Sequence, residues 1–309
     1  MEIRGSEGSG GPSSTSVPAR LRRLAKRVLA GPARREVAVR VGDFLLVMDP
    51  INPLAQEFQH NPGYSSALGR LTAEVVRKYP EAAVLDVGAN VGDTAAIVKS
   101  AADVPVVCVE GDPGCVPFLT RNVRQFRDVT VHEVFLDERT GPAVVSLEKQ
   151  GWNTTIIPGD GPASVMFVAL DDLMASIPTA DRIKLVKIDT EGFDTRILRG
   201  ARRLIATNRP ALYFEYNRHA MLGSGEDGFA ALTGLCEQGY DSVLFYEATG
   251  RFVLATSLQQ TALIRDLHDY CAANRGLVRY FDVCVFHDMD RDVAEAFVAR
   301  ERRHRDTSA

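Results

Sequence analysis

The sequence has no C-x-x-C pair and no Cys/His cluster at zinc-ligand spacing, and its five cysteines (Cys108, Cys115, Cys236, Cys271, Cys284) are an odd number. A disulfide framework and a structural zinc module are therefore not expected, and the thiols read as buried groups in a reducing compartment. No apolar run approaches the roughly 20 residues that span a bilayer, and the N-terminus lacks the uninterrupted apolar segment of a secretory signal. A cytoplasmic protein without a transmembrane segment is expected. Positive charge is not in excess either: 36 Lys and Arg stand against 40 Asp and Glu, a net charge of −4. Nucleic acid is accordingly not the expected partner. What is present is a 45% hydrophobic content over 309 residues, enough to build a packed core.

The opening "GSEGSGGPSSTSVP" is Gly/Ser/Pro-rich, and residues 1–17 are expected to be disordered. Residues 18–80 then read as a basic helix with Leu21, Leu24, Val28 and Leu29 on one side, a β-hairpin over Glu36 to Met48, and a lead-in helix over about Tyr64 to Lys78. From residue 81 to 290, short apolar runs alternate with helical patterns: "AAVLDV", "VPVVCVE", "VTVHEV", "RIKLVKID" and "PALYFEY". Near-continuous β-rich runs of this kind belong to a mostly parallel sheet covered on both faces, so the class is α/β, a doubly wound Rossmann-like fold. "PAVVSLE" and "ASVMFVAL" read as an inserted hairpin after the third strand, and "DSVLFYEATGRFVLAT" with "RYFDVCVF" as closing antiparallel-type strands. Residues 291–309 read as a charged helix fraying into a tail.

In an open parallel sheet, ligands bind outside the carboxyl ends of the strands, which directs attention to "AVLDVGANVGDT". A dinucleotide turn is G-x-G-x-x-G, and here the three positions are Gly88, Asn90 and Asp93. Asn90 places a side chain where a diphosphate approaches, and Asp93 adds negative charge at a helix N-terminus that a phosphate needs positive. S-adenosylmethionine carries no phosphate and suits the same letters: Asp86 for its ammonium, Gly88 for close backbone approach, and the amides from Asn90 through Gly92 to Asp93 for its carboxylate. Glu110 ends the second strand, where a carboxylate accepts hydrogen bonds from ribose hydroxyls. Asp137, in "FLDERTG" at the end of the third strand, is a candidate for the adenine amino group or else an ordinary turn aspartate.

A second constellation ends the fourth and fifth strands: Lys187, Asp189 and Glu191 at alternating positions, then Glu215 and Asn217. If methyl transfer goes to a hydroxyl, a proton must leave. An alcohol near ~16 lies about 12 units above a carboxylate, so prior deprotonation costs roughly 16 kcal/mol and a carboxylate can act only in concert. His219, just beyond the fifth strand, is better matched as a base if it faces the site. Asp189, Glu215 and Asn217 are also hard oxygen ligands suited to Mg²⁺, and capping of the following helix is the alternative for the carboxylates. Trp152, in "EKQGWNTTIIPGDGP", reads as a substrate-covering or packing residue, and Tyr64 as a candidate for the cofactor or acceptor side.

Taken together, "VLDVGANVGDTA", "VCVEGDP", "LVKIDTEGFDTRILRGA" and "ALYFEYN" resemble the FkbM-type S-adenosylmethionine-dependent methyltransferases, in order and spacing, from about Val37 to Thr256. The resemblance implies a class I methyltransferase sheet with an antiparallel last strand, for which "RYFDVCVF" is the natural candidate. It implies O-methylation of a sugar, polyketide or other secondary metabolite. By position it puts Asp86, Gly88, Asn90 and Gly92 on the methionine side of the pocket, Glu110 on the ribose side, and Asp189 and Glu191 on the second acidic block. The rival readings are an NAD-dependent oxidoreductase, which needs a glycine at position 90, and a non-catalytic S-adenosylmethionine-binding protein. The sequence leaves homo-oligomerisation open.

Overall fold

Every residue of Ala83–Val87 is buried, as are those of Val106–Val109 and Ala211–Tyr216. Strands with two apolar faces need cover on both sides, and the computed structural model places them at the centre of a three-layer α/β domain. It describes residues 36–61, 63–150, 152–159, 161, 163–247, 249–272 and 278–307. The Gly/Ser/Pro-rich opening and the basic helix expected before residue 36 lie outside the described residues.

The expected hairpin is β1 (Val37–Val41) and β2 (Phe44–Met48), closed by Gly42 and Asp43. Two helices follow, α1 (Leu54–His60) and α2 (Ser66–Lys78). The alternating core is then β3 (Ala83–Val87), α3 (Asp93–Ala101), β4 (Val106–Val109), α4 (Val116–Asn122) and β5 (Val129–His132). After an insertion the pattern resumes with β10 (Ile183–Ile188), α6 (Asp194–Arg199), α7 (Arg202–Asn208), β11 (Ala211–Tyr216), α8 (Arg218–Gly223) and α9 (Phe229–Thr233). It closes with β12 (Tyr240–Glu247), β13 (Phe252–Ser257), α10 (Thr261–Ala272), β14 (Phe281–His287) and α11 (Arg291–Thr307).

The strand order is β13-β12-β14-β11-β10-β3-β4-β5, with β11, β10, β3, β4 and β5 parallel and β14 antiparallel between β11 and β12. "RYFDVCVF" therefore supplies the antiparallel strand, as expected. The order reverses at β3, so the carboxyl ends of β3, β4 and β10 surround the switch point where open α/β sheets hold ligands.

The insertion is larger than a hairpin. β6 (Phe135–Asp137), β7 (Gly141–Gln150), β8 (Asn153–Pro158) and β9 (Ala163–Ala169) make a separate mixed sheet, ordered β6-β9-β7-β8, with a short helix α5 (Leu170–Leu173) after it. "FLD" thus leaves the main sheet instead of ending its third strand. The C-terminal charged helix also differs from its expectation. Most of α11 is docked: Phe297 packs on Phe286, and the fully buried Glu301 takes both forks of Arg70 from α2 at 2.5 and 2.7 Å.

Candidate active site

The turn after β3 is shaped by its neighbours before any ligand is considered. Gly88 has φ 72°, and a Cβ there would stand 1.8 Å from the backbone oxygen of Asp189. Only glycine fits, because β10 passes directly alongside. Gly192 meets the same demand on the other side: at φ 99° its Cβ would lie 2.4 Å from the backbone of Ala220. The first approach brings the turns after β3 and β10 together and the second seats the β10 turn on α8, and the β3 and β10 turns face one cavity of about 460 Å³.

Beneath the turn, Lys187 on β10 lies 3.2 Å from Asp86 Oδ1 and donates to the carbonyl oxygen of Gly88 at 2.8 Å. Thr94 of α3 donates to the other Asp86 oxygen at 2.5 Å. Asp86 is 1% exposed and does not line the cavity. This corrects two expectations. The charge expected to receive an ammonium is already taken by Lys187, and the Lys187 ammonium, read as catalytic, is a tie that fixes the turn. Gly92 likewise sits behind the cavity, as the left-handed residue at the start of α3.

Glu110 faces the cavity from the end of β4. Its Oε2 accepts the Asn90 N–H at 2.8 Å and its Oε1 accepts the Asp112 N–H at 2.7 Å, so both oxygens are held in place with lone pairs to spare. Burial pushes Glu110 up, and the two amides pull it down. Asn90, in the left-handed region at φ 47°, turns its side-chain oxygen to the Trp152 indole N–H at 3.0 Å and to the Asn52 amide at 3.3 Å. Trp152 is buried edge-on against Phe118. It therefore stands on the glycine-turn side of the cavity, brought there by the inserted sheet, and not over the second acidic block. Asp93 lines the same wall, and burial raises its carboxyl to about 7.

Across the cavity the registers align the strand ends in one row. Asp86 pairs with Cys108 and Lys187, Lys187 with Tyr213, and Glu215 with Asp282. Continuing each register by two residues sets Glu110, Gly88, Asp189, Glu215 and Asp282 side by side across five strands. Backbone bonds just past the strand ends agree, with Gly88 N–H donating to Val109 O at 2.9 Å and Asp189 N–H to Val87 O at 3.1 Å. Glu191, at φ 54°, is raised to about 7 by burial and by the Asp189 charge. Asp282 is raised to about 8 by burial and then by Asp189, while the Tyr213 hydroxyl, donating at 3.1 Å, opposes the rise. Tyr64 and Tyr280 line the same space, and burial followed by a neighbouring carboxylate (Asp189 for Tyr64, Glu215 for Tyr280) pushes both phenols up.

Three expected site residues fall elsewhere. His219 is exposed on α8 and does not line the cavity. Asn217 caps that helix, its Oδ1 accepting from the Ala220 N–H at 3.2 Å, so it does not face an acceptor. Asp137 is clamped by both forks of Arg196 at 2.6 and 2.8 Å, which removes it from any adenine. Neither Asp189 nor Glu191 caps the following helix; Asp194, its first residue, instead reaches back to accept from the amides of Thr190 and Gly192 and so braces the turn after β10. Among the described residues no group of three or more His, Cys, Asp or Glu is disposed to hold a metal ion, and with Asn217 spent on a cap the Mg²⁺ set does not fit. Tyr280 and Asp282 were missed. Their signal was available in "RYFDVCVF", whose antiparallel pairing with "ALYFEY" sets Asp282 opposite Glu215.

The sheet order, the antiparallel β14 set between β11 and β12, and the cavity at the switch point are those of a class I, Rossmann-like methyltransferase. More narrowly, the chain belongs to the FkbM family: the Methyltransferase FkbM domain matches residues 86–242, just over half of it. Solved structures that the chain matches include a methyltransferase FkbM from Methylobacillus flagellatus KT, 23% identical over 44% of this chain and 33% of that one, with a TM-score of 0.34. A putative O-methyltransferase from Klebsiella pneumoniae is 13% identical over 87% and 96%, with a TM-score of 0.39. M. jannaschii TYW2, solved in complex with AdoMet, is 10% identical over 83% and 88%, with a TM-score of 0.41. No curated protein matches the sequence. No helix among the described residues is long and apolar enough to cross a membrane.

Proposed function

We propose that the protein transfers the methyl group of S-adenosylmethionine to a hydroxyl of a small molecule, a sugar or other secondary metabolite, with a carboxylate taking the proton. The observation that carries the cofactor half is Glu110, a half-buried carboxylate fixed by two backbone amides beside the Asn90 turn. Its free lone pairs suit a ribose diol, while Asp93 at the start of α3 opposes a diphosphate. Gly88, Asn90 and Tyr64 would line the remainder of the nucleoside and methionine path.

Held by Glu110, Gly88, Asn90 and Tyr64, S-adenosylmethionine would supply an electrophilic methyl group on a sulfonium that is a good leaving group. The protein's own task is to align the acceptor and accept its proton. Glu191 suits that task. At about 7 its carboxyl is half ionised near neutral pH and is a stronger base than an ordinary carboxylate. The gap to an alcohol is then about 9 units, roughly 12 kcal/mol, still too large for prior deprotonation, so proton loss is concerted with bond formation. Burial, and after it the neighbouring Asp189 just past the end of β10, keeps Glu191 basic.

Calorimetry separates this reading from an oxidoreductase. Saturable binding of S-adenosylhomocysteine without binding of NAD is expected, and the reverse pattern would sink it. Mass spectrometry of hydroxylated metabolites incubated with methyl-labelled cofactor then locates the new methyl on oxygen.

A further inference from the structure

Glu215 and Asp282 are direct cross-strand partners on β11 and β14, an arrangement in which like charges repel. Both line the cavity, together with Asp189 and Glu191. Among the described residues lining it, Lys187 is the one Lys or Arg, and its charge is committed to Asp86. Glu215 is 8% exposed, and its Oε2 is buried without a hydrogen-bond partner. Its Oε1 receives one long bond, from Asn217 Nδ2 at 3.4 Å. A buried carboxylate oxygen left in this state costs stability unless something arrives to pair with it.

The cofactor's sulfonium sits poorly there, and its methionine ammonium, left without Asp86, is the competing cation that the affinity of the Glu215 variant for S-adenosylhomocysteine reads directly. Strands lie about 4.8 Å apart, so Glu215 is about 14 Å and Asp282 about 19 Å across the sheet from Glu110. A ribose held at Glu110 leaves the sulfonium, attached through one methylene, on the near side of Asp189. The far end of the row is left for the acceptor, and Tyr280, next but one to Asp282 in sequence, adds aromatic surface of the kind that favours a cation.

We infer that the acceptor carries a cationic amino group, separate from the hydroxyl that is methylated, and that Glu215 and Asp282 bind it. This rests on the methyltransferase reading above and narrows it from hydroxylated metabolites in general to amino alcohols and aminosugars. An ammonium held between the two carboxyl groups would give Glu215 the donor it lacks and let the cross-strand pair ionise side by side.

The test uses the full-length protein saturated with S-adenosylhomocysteine and two probes of one skeleton, 1,3-diaminopropan-2-ol and glycerol, in buffers of matched ionic strength. Saturation-transfer NMR and thermal shift are expected to report binding of the diamine and none of glycerol. Glu215→Gln, and separately Asp282→Asn, are expected to weaken the diamine at least tenfold while unfolding cooperatively. Equal response to both probes, no response to the diamine, or undiminished diamine binding in both variants overturns the inference. So does a tenfold loss of S-adenosylhomocysteine affinity in Glu215→Gln, because that places Glu215 on the cofactor. Failure of the wild-type protein to bind S-adenosylhomocysteine at all is a different result, and it counts against the methyltransferase reading itself.

Discussion

Lys187 and Asp86 form a buried ion pair, 3.2 Å from Nζ to Oδ1, that fastens β10 to the base of the glycine turn on β3. Each side chain is almost fully enclosed, at 5% and 1% exposure, so neither charge can turn to water if its partner is lost.

Removing one member should therefore cost more than removing both. Lys187→Met and Asp86→Leu are each expected to lose about 3–5 kcal/mol of unfolding free energy, and the double variant clearly less than the sum. Denaturant unfolding of the four proteins closes the cycle. Additive losses would mean that the pair is not coupled.

The two glycines of the turn should respond differently to alanine. Gly88→Ala forces a Cβ onto the Asp189 carbonyl at 1.8 Å and is expected to cost more than about 3 kcal/mol. Gly92→Ala keeps the φ 89° strain but meets only the tip of Leu119 at 3.2 Å, so a cost of about 1–2 kcal/mol is expected. Urea midpoints at constant m-value distinguish the two.

Glu110→Gln tests the cofactor wall. It keeps the shape, removes the charge from a group that accepts two amides, and turns a donor toward one of them. A loss of about 1.5–3 kcal/mol in S-adenosylhomocysteine binding is expected by calorimetry, roughly 10- to 100-fold in Kd. An unchanged Kd would remove Glu110 from the site.

The pH dependence of turnover tests Glu191. A base that must be ionised gives kcat/KM rising with pH and levelling above about 7, and Glu191→Gln should lower the plateau and abolish that limb. Retention of the same limb in the variant would assign it to another group, with Asp93, also at about 7, the first to try.

Stability should fall with pH through the same range. Glu191, Asp282 and Glu215 hold protons in the folded state at pH values where unfolded carboxylates have lost them. The folded state then binds more protons, so each raised group destabilises the fold as pH rises from about 4 toward its folded value. Burial comes first among the causes for all three. Glu215→Gln is expected to flatten that slope in the ligand-free protein and to raise the thermal midpoint above pH 7. His268 and His132, both lowered by burial, act in the opposite sense, so the comparison is made between variant and parent.

Much of this was legible in the sequence because near-continuous apolar runs can only be central strands, and because Asn90 and Asp93 depart from a diphosphate pattern in a chemically readable way. Glu110, Asp189 and Glu191 followed from their places at strand ends. What was not legible was pairing. Nothing local to Asp86 says that Lys187, 101 positions later, takes its charge, because that depends on the β3–β10 register. Asp137 was misplaced for a similar reason: "FLD" is as good a continuation of β5 as a strand of the inserted sheet, and only its pairing with β9 and the Arg196 clamp decide. His219 was favoured on intrinsic basicity, which carries no information about direction, and the turn through the Asn217 cap sends it outward.

The position of β14 bears on how the pocket comes into being as the chain is made. β3, β4, β10 and β11 can assemble once residue 216 has emerged, and with them the Glu110 wall and the glycine turn. β14 must then enter between β11 and β12, carrying Asp282 at its start, as the last strand added to the sheet. A nascent chain would thus present Glu110 and Glu215 well before Asp282, the member of the carboxylate row that lies beyond residues 86–242, the segment that marks the family.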